Sequence, residues 1–271
     1  MKELIELLSY PFVQRAILAS VISGGLLAVL GIFVVLRKMA FFSDGIAHTA
    51  LTGVAIALLL GQQPLIWAVC VGVLFAAAIF FLEKKTDISP DSLIGILFTS
   101  SLALGVVLMN FKKGYQPDLL SFLFGNILTI GSSELWALIP LGVIILAFVL
   151  LNYSKYLFIC LNDELAKLAG INTEAYRLIL YVLLAVSNIL AIKMFGIILV
   201  SALLIIPVSF AKLFARSAKT LLVLSIIFVE LIVIGGTIIS LVLDLPTGAV
   251  IILSGTIIFI LGMVVNKLVG F

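Results

Sequence analysis

The chain has 271 residues, of which 64% are hydrophobic and 11% are charged, and its formal net charge is +3. Its mean hydropathy of +1.39 lies far outside the range of soluble globular domains, so the composition predicts an integral membrane protein. The small excess of basic residues does not imply a nucleic-acid partner, because lysine and arginine in such a chain report its topology.

Nine apolar stretches have roughly the length, about 20 residues, that a helix needs to cross the hydrocarbon core of a bilayer. In chain order they cover about residues 13–36, 41–60, 64–82, 92–110, 134–151, 178–195, 196–214, 220–243 and 247–266. An interrupted apolar segment at 118–135 is typical of a re-entrant or interfacial helix, which leaves an eight-span alternative open. We therefore expect an all-α, polytopic membrane protein with eight or nine transmembrane helices, and residues 1–271 form one transmembrane domain.

The second predicted span holds the only histidine of the chain, His48, four residues after Asp44. Residues four apart share a helix face, so a carboxylate and an imidazole can point at one ion. In a two-fold dimer with this helix at the axis, the pair would double and could hold Zn²⁺, or Mn²⁺ with added water. The alternative from these residues alone is that Asp44 caps the helix while His48 bonds a backbone carbonyl.

The longest polar stretch, LNDELAKLAGINTEAYR, covers residues 161–177. Asn162 or Asp163 can cap a helix of about two turns, and Gly170 is a natural left-handed stop. A second helix start is predicted at Thr173, whose side chain can act as its cap. Such a short amphipathic helix either docks in a groove of a soluble partner or lies on the lipid surface. The residues expected to mediate docking are Asp163, Glu164, Leu165, Leu168 and Gly170.

If this loop is cytoplasmic, alternation of the spans puts the N-terminus outside and the C-terminus in the cytoplasm. Eleven of the 16 basic residues then lie on the cytoplasmic side, as the positive-inside rule favours. They are Arg37, Lys38, Lys84, Lys85, Lys155, Lys167, Arg177, Lys212, Arg216, Lys219 and Lys267.

Glu230 is an acidic residue in the middle of the eighth predicted span. It is expected to face the protein interior, either as a second cation contact on a metal pathway or, as we favour, as a packing hydrogen bond to another helix.

Two kinds of catalytic motif are absent from the sequence. It has no G-x-x-x-x-G-K-[ST] phosphate loop, and a single histidine excludes an H-E-x-x-H metalloprotease. We therefore expect a protein that is not an enzyme, with any ATP hydrolysis carried out by a separate partner subunit.

Several segments of the sequence form one pattern when they are taken together. The first is the stretch D-E-L-A-x-x-x-G-I, which begins at Asp163, and the others are SDGIAHTALTGVA, SLIGILFTSSLALGVVL, DLLSFLFGNIL, GIILVSALLIIPVSFAKL and LDLPTGAVIIL. Together they resemble the permease subunits of zinc- and manganese-type ABC importers, and the match extends over nearly the whole chain. One departure is Thr52, where many relatives have proline, and it is expected to leave the second span straighter.

The resemblance implies a homodimeric permease of the plasma membrane, with metal as cargo and no cofactor. Its cytoplasmic loops would dock on two ATPase subunits, and its outer face would receive metal from a binding protein. Asp44 and His48 match the family's D-x-x-x-H positions and would line the metal path. Because nitrogen and oxygen ligands accept several first-row ions, zinc, manganese and iron all stay open.

A rival interpretation is an ATP-independent secondary transporter or channel whose loop 161–177 only lies on lipid. Such transporters usually carry inverted repeats and unwound helices at a midplane site, which are not found in this sequence.

Overall fold

The computed structural model describes residues 10–111 and 132–269, and within these ranges it consists of eleven α-helices. They are α1 (Pro11–Leu36), α2 (Phe42–Leu60), α3 (Pro64–Lys85), α4 (Pro90–Asn110), α5 (Ser132–Leu151), α6 (Tyr153–Leu161), α7 (Asp163–Leu168), α8 (Thr173–Phe195), α9 (Ile197–Phe214), α10 (Ala218–Leu243) and α11 (Thr247–Val269).

Eight of these helices, α1 to α4 and α8 to α11, are long and apolar enough to cross a membrane. A ninth span is formed if α5 and α6 are taken together, since they meet at a bend of 62°. The predicted eight or nine spans are therefore confirmed. The interrupted segment at 118–135 lies outside the described residues except for its last four, which begin α5.

The helix boundaries follow from local chemistry. Proline occupies the first turn of α1, α3 and α4, where its missing N–H would have no helical partner. Asn162 caps α7 by accepting a hydrogen bond from the Leu165 N–H, and Gly170 follows that helix with φ of 81°. The predicted cap at Thr173 is wrong: Asn172 caps α8, because its side chain accepts from the Ala175 N–H at 3.2 Å.

Helices α1, α2 and α8 are the most enclosed, whereas α4 and α11 turn most of their surface outward. Helix α2 packs against α3 and α4 and also touches α8 and α9. Its approach to α4 is close at Gly105, where a Cβ would lie only 2.9 Å from the Thr52 hydroxyl. Close contacts of this kind hold transmembrane helices together where the hydrophobic effect is weak.

Several helix ends meet at one end of the bundle, which we call the α7 side. Here Arg37 at the end of α1 and Glu83 near the end of α3 are joined by an ion pair, and Arg177 at the start of α8 binds the same carboxylate. The predicted placement of Arg37 and Arg177 on a common side of the membrane agrees with this arrangement.

Candidate functional site

Asp44 lies in the first turn of α2, at the end where the helix dipole favours a negative charge. No side chain caps this helix, and the Asp44 carboxylate instead reaches another helix. Its Oδ1 accepts a hydrogen bond of 2.7 Å from the Ser201 hydroxyl of α9. The helix-cap alternative for Asp44 therefore does not describe this structure.

His48 lies one turn further along α2 and is half-buried. Its ring packs against the Phe98 ring of α4, with centroids 4.8 Å apart. Its Nδ1 is buried and has no hydrogen-bond partner among the described residues, so this atom does not form the backbone bond that the alternative interpretation required. Such a nitrogen is costly to leave unpaired, and it is available to a ligand.

Asp44 and His48 are close enough to interact electrostatically, as their spacing predicts. Within the described part of one chain, no group of three or more histidine, cysteine, aspartate or glutamate side chains comes together. The pair therefore offers two strong ligands, and any further ligands must come from water or from another chain.

A cavity of about 460 Å³ adjoins His48, between α2 and α4. His48 forms one end of its wall, and the lining continues to Leu58 and Asn110 near the ends of the two helices that point away from the α7 side. The remaining walls are mainly apolar, so His48 is the titratable group in the lining. The cavity thus leads from the predicted external end of the bundle to the imidazole.

Thr52 also lines this cavity, and its hydroxyl donates a hydrogen bond of 2.6 Å to the Ser101 carbonyl oxygen of α4. A proline at this position could not make that bond. Threonine in place of proline therefore links α2 to α4 by a hydrogen bond one turn beyond His48, and it also leaves α2 without a proline kink.

Glu230 occupies a different helix interface from Asp44. It lies against α1, where a Cβ at Gly25 would be 3.5 Å from its Oε1. Its Oε2 is buried and lacks a hydrogen-bond partner among the described residues, so this oxygen does not form the packing hydrogen bond that the sequence analysis favoured. Helix α10 packs mainly against α1, α9 and α11, so the side chain faces the protein interior as expected but is not brought into the α2 pair.

The docking residues predicted in the loop form a distinct surface on the α7 side. Leu165 and Leu168 are 52% and 84% exposed, although both are apolar and belong to a capped helix. Leu161, at the end of α6, is exposed beside them. An exposed apolar patch at a polar end of the molecule is typical of a protein interface.

Asp163 fixes the orientation of α7. Burial alone would raise the pKa of Asp163, but the Lys167 ammonium and the nearby Arg177 charge hold this pKa below its ordinary value. Its Oδ2 lies 3.0 Å from the Lys167 ammonium and 3.9 Å from the Arg177 guanidinium. Asp163 is therefore paired with basic residues of its own chain, whereas Glu164 is exposed.

Sequence reasoning identified Asp44 and His48 but missed Ser201 and Phe98, which contact them. Ser201 is 157 residues away from Asp44 in the chain. It falls inside the quoted segment GIILVSALLIIPVSFAKL, but nothing in the spacing of that segment indicates its contact with α2.

Within the described ranges, eight long apolar helices and a cavity that reaches His48 between two of them are typical of a multi-pass membrane transporter. The model of the ABC 3 transport family matches residues 9–266, and the chain belongs to this family. It is a multi-pass protein of the plasma membrane.

Individual relatives cover almost the full chain. The manganese transport system membrane protein MntC of Halalkalibacterium halodurans is 35% identical over 256 residues, which are 94% of this chain and 88% of that protein. The high-affinity zinc uptake system membrane protein ZnuB of Haemophilus influenzae is 36% identical over 249 residues, or 92% and 95% of the two chains. The solved structure of PsaBC from Streptococcus pneumoniae in complex with Fab superposes with a TM-score of 0.82 and 31% identity, and covers 96% of this chain and 94% of that one.

Proposed function

We propose that this protein is the permease subunit of an ATP-driven importer that moves a divalent transition metal, zinc or manganese, into the cytoplasm. A relative named for manganese transport and another named for zinc uptake are both similar to it over nearly its full length. The observation that carries the proposal is His48, which lies in the wall of a cavity that leads from the external end, with Asp44 one helix turn away. The metal is cargo, and the permease needs no cofactor of its own.

Asp44 and His48 line the metal pathway in this proposal. A carboxylate and an imidazole suit both zinc and manganese, and the charge of the ion offsets the desolvation of Asp44 inside the membrane. The hydrogen bond from Ser201 holds one carboxylate oxygen of Asp44 in place. Glu230 is assigned to helix packing, with a secondary cation contact as the alternative role.

A second copy of the chain completes the transporter. Two ligands per chain make an incomplete shell, and a symmetric partner supplies the same two again. The outward surface of α4 supports this arrangement, because Thr99 and Ser100 are exposed there in the middle of a membrane span. Their hydroxyls bond carbonyl oxygens of their own helix, which leaves the surface compatible with close packing against another helix.

Energy comes from a partner. The chain carries no phosphate-binding loop, and the exposed leucines of α7 form a surface on which an ATPase subunit can dock. We assign Asp163 and Gly170 to shaping α7 and Glu164, Leu165 and Leu168 to the contact itself. An extracytoplasmic binding protein delivers the metal at the opposite end.

The proposal is tested by co-expressing the chain with its ATPase, reconstituting the complex in vesicles and measuring uptake of zinc, manganese and iron in competition. We expect uptake of zinc or manganese that requires both ATP and the ATPase subunit. Equal uptake by the permease alone, without ATP, would instead establish the rival secondary transporter.

A further inference from the structure

Glu83 is the centre of a buried ionic cluster that the transport site does not use. Its Oε1 accepts a hydrogen bond of 2.7 Å from Arg37 and forms an ion pair of 2.8 Å with Arg177, and its Oε2 accepts a hydrogen bond of 2.6 Å from the Tyr181 hydroxyl. The three charged side chains are only 11–14% exposed, and Tyr181 is fully buried. We call these four residues the Glu83 cluster.

Burying such charges is expensive, and well-packed apolar residues would often give equal or greater stability. The cluster nevertheless occupies both oxygens of Glu83 with partners from other helices, although the Nε of Arg177 is buried without a hydrogen-bond partner among the described residues. Aromatic rings add to this, since the Arg37 guanidinium lies 5.5 Å from the centre of the Tyr181 ring and that of Arg177 lies 5.8 Å from the Phe80 ring. A directional arrangement of this kind holds α1, α3 and α8 in one register more specifically than apolar packing does.

The cluster is joined to the predicted docking helix α7 on one side. Arg177 binds Glu83 through one nitrogen and approaches Asp163, the first residue of α7, at 3.9 Å through the other. Asp163 is also paired with Lys167 in the next turn of α7. A displacement of α7 therefore acts directly on the Arg177 side chain.

On its other side the cluster is joined to the start of α2. Arg37 ends α1, and Lys38 follows in the left-handed conformation with φ of 56°. The Met39 N–H then bonds back to the Val34 carbonyl oxygen, so the connection between the two helices is tight. The ring of Phe42, the first residue of α2, lies 5.8 Å from that of Tyr181.

Only Ser43 separates Phe42 from Asp44, and it is held in turn by α8. Its hydroxyl donates a hydrogen bond of 2.9 Å to the Asn188 side chain, two turns beyond Tyr181. The contacts thus run without a gap from Asp163 through Arg177, Glu83 and Tyr181 to the turn of α2 that carries Asp44.

We propose that the Glu83 cluster is the element that passes movement of α7 to the start of α2, and that Glu83 is a positioning residue for metal transport. This inference rests on the proposed function, in which an ATPase moves α7 and Asp44 holds the metal. When the ATPase displaces α7, Arg177 pulls on Glu83, and Arg37 and Tyr181 shift the α1–α2 connection together with Asp44. A contiguous network of packed and hydrogen-bonded side chains is a physical route for such coupling.

The test measures how much metal is transported for each ATP hydrolysed by the reconstituted complex. The variants are Glu83→Gln, which removes the charge but keeps the shape, and Tyr181→Phe, which removes only one hydroxyl and leaves the ion pairs. Lys84→Gln is the matched control, because it breaks the exposed Lys84–Glu174 ion pair at the same helix end. Metal binding to the complex without ATP is measured in parallel.

We expect ATP hydrolysis and metal binding to persist in both variants, while metal transported per ATP falls about tenfold in Glu83→Gln and about threefold in Tyr181→Phe, in the range of measured coupling effects. Lys84→Gln should keep the wild-type ratio. If Glu83→Gln does not fold, Tyr181→Phe alone decides the outcome.

An unchanged transport ratio in folded variants would overturn the inference, and so would lower thermal stability with an unchanged ratio, since that is the result of a purely structural clamp. Failure of the wild-type complex to transport metal would reject the proposed function instead, so the two failures are distinguishable.

Discussion

The Glu83 cluster and the Asp44–His48 pair are two sets of ionisable residues in the same helix bundle, and their surroundings differ. In the cluster, Glu83 meets three partners from other helices at 2.6–2.8 Å. At the pair, Asp44 receives a single hydrogen bond from Ser201, and the buried His48 Nδ1 has no partner within the described residues. A carboxylate whose two oxygens are both bound by other helices holds those helices together, whereas a polar group left open beside a cavity is available to a ligand.

This comparison predicts opposite responses to substitution. Changes in the cluster should lower the free energy of unfolding or the coupling of the permease to its ATPase. Changes at the pair should abolish the handling of metal and leave the fold largely intact.

The largest effect on stability is expected from Glu83→Ala. Arg37 and Arg177 would remain 11–14% exposed without their anion, and removing one partner of a buried ion pair costs about 3–5 kcal/mol. Thermal or denaturant unfolding in detergent measures this loss. Lys84→Ala, next to it in the chain, should have little effect because its partner Glu174 is solvent-exposed, and equal losses in the two variants would remove the distinction between cluster and surface.

A large functional effect is expected from the double substitution Glu164→Arg and Leu168→Asp on the exposed face of α7. Both side chains are exposed, so the permease should fold normally, whereas co-purification of the ATPase and metal uptake should fall by about tenfold or more, as for the central residues of an interface. Lys267→Glu, on the exposed end of α11, is the control for a general change of charge on this side. Normal ATPase binding by the double variant would contradict the docking role.

A moderate effect of pH is expected through Asp163. Because its pKa is lower in the folded protein than its ordinary value of 3.8, Asp163 stabilises the fold fully above that value, and this contribution is lost as the pH falls through the lower folded pKa. Asp163→Asn should therefore unfold at a lower temperature than wild type at pH 7, and the difference should shrink below about pH 4. A difference that does not change with pH would show that the ion pairs of Asp163 contribute nothing.

The smallest effects concern two residues in the left-handed conformation, each of which follows the end of a helix. Lys38 after α1 and Gly170 after α7 have φ of 56° and 81°, in the region that glycine adopts without strain. Lys38→Gly should stabilise the protein by up to about 1 kcal/mol, while Gly170→Ala should destabilise it by about 1–2 kcal/mol. Thermal unfolding of both variants tests this, and effects of the same sign would contradict the assignment of strain to Lys38.

The sequence predicted the spans and the limits of α7, because both depend on local features: runs of apolar residues, Asn162 as a possible cap and Gly170 as a stop. It also predicted that Asp44 and His48 lie together, since the helix repeat fixes that relation. The choice between Asn172 and Thr173 as the cap of α8 was wrong, because adjacent residues of similar capping chemistry compete and the rest of the fold decides between them.

The sequence did not predict which side chains contact each other between helices. The partnership of Asp44 with Ser201 spans 157 residues, and that of Arg37 with Tyr181 spans 144. Each depends on the rotation and depth of two helices, which the apolar composition of a membrane span leaves nearly undetermined. Thr52 is a further example. The sequence indicated only that a proline is missing at this position, whereas the structure shows that the Thr52 hydroxyl donates a hydrogen bond to Ser101.

The most direct test of the central claim is metal uptake by His48→Ala in the reconstituted complex, measured together with its thermal stability. Leu58→Ala, at the far end of the same cavity, is the matched control. If His48 ligates the passing ion, uptake should fall at least about tenfold while the unfolding temperature and ATPase assembly stay near wild type, because a half-open side chain contributes little packing. Wild-type uptake by a stably folded His48→Ala protein would contradict the assignment of the metal pathway to this pair.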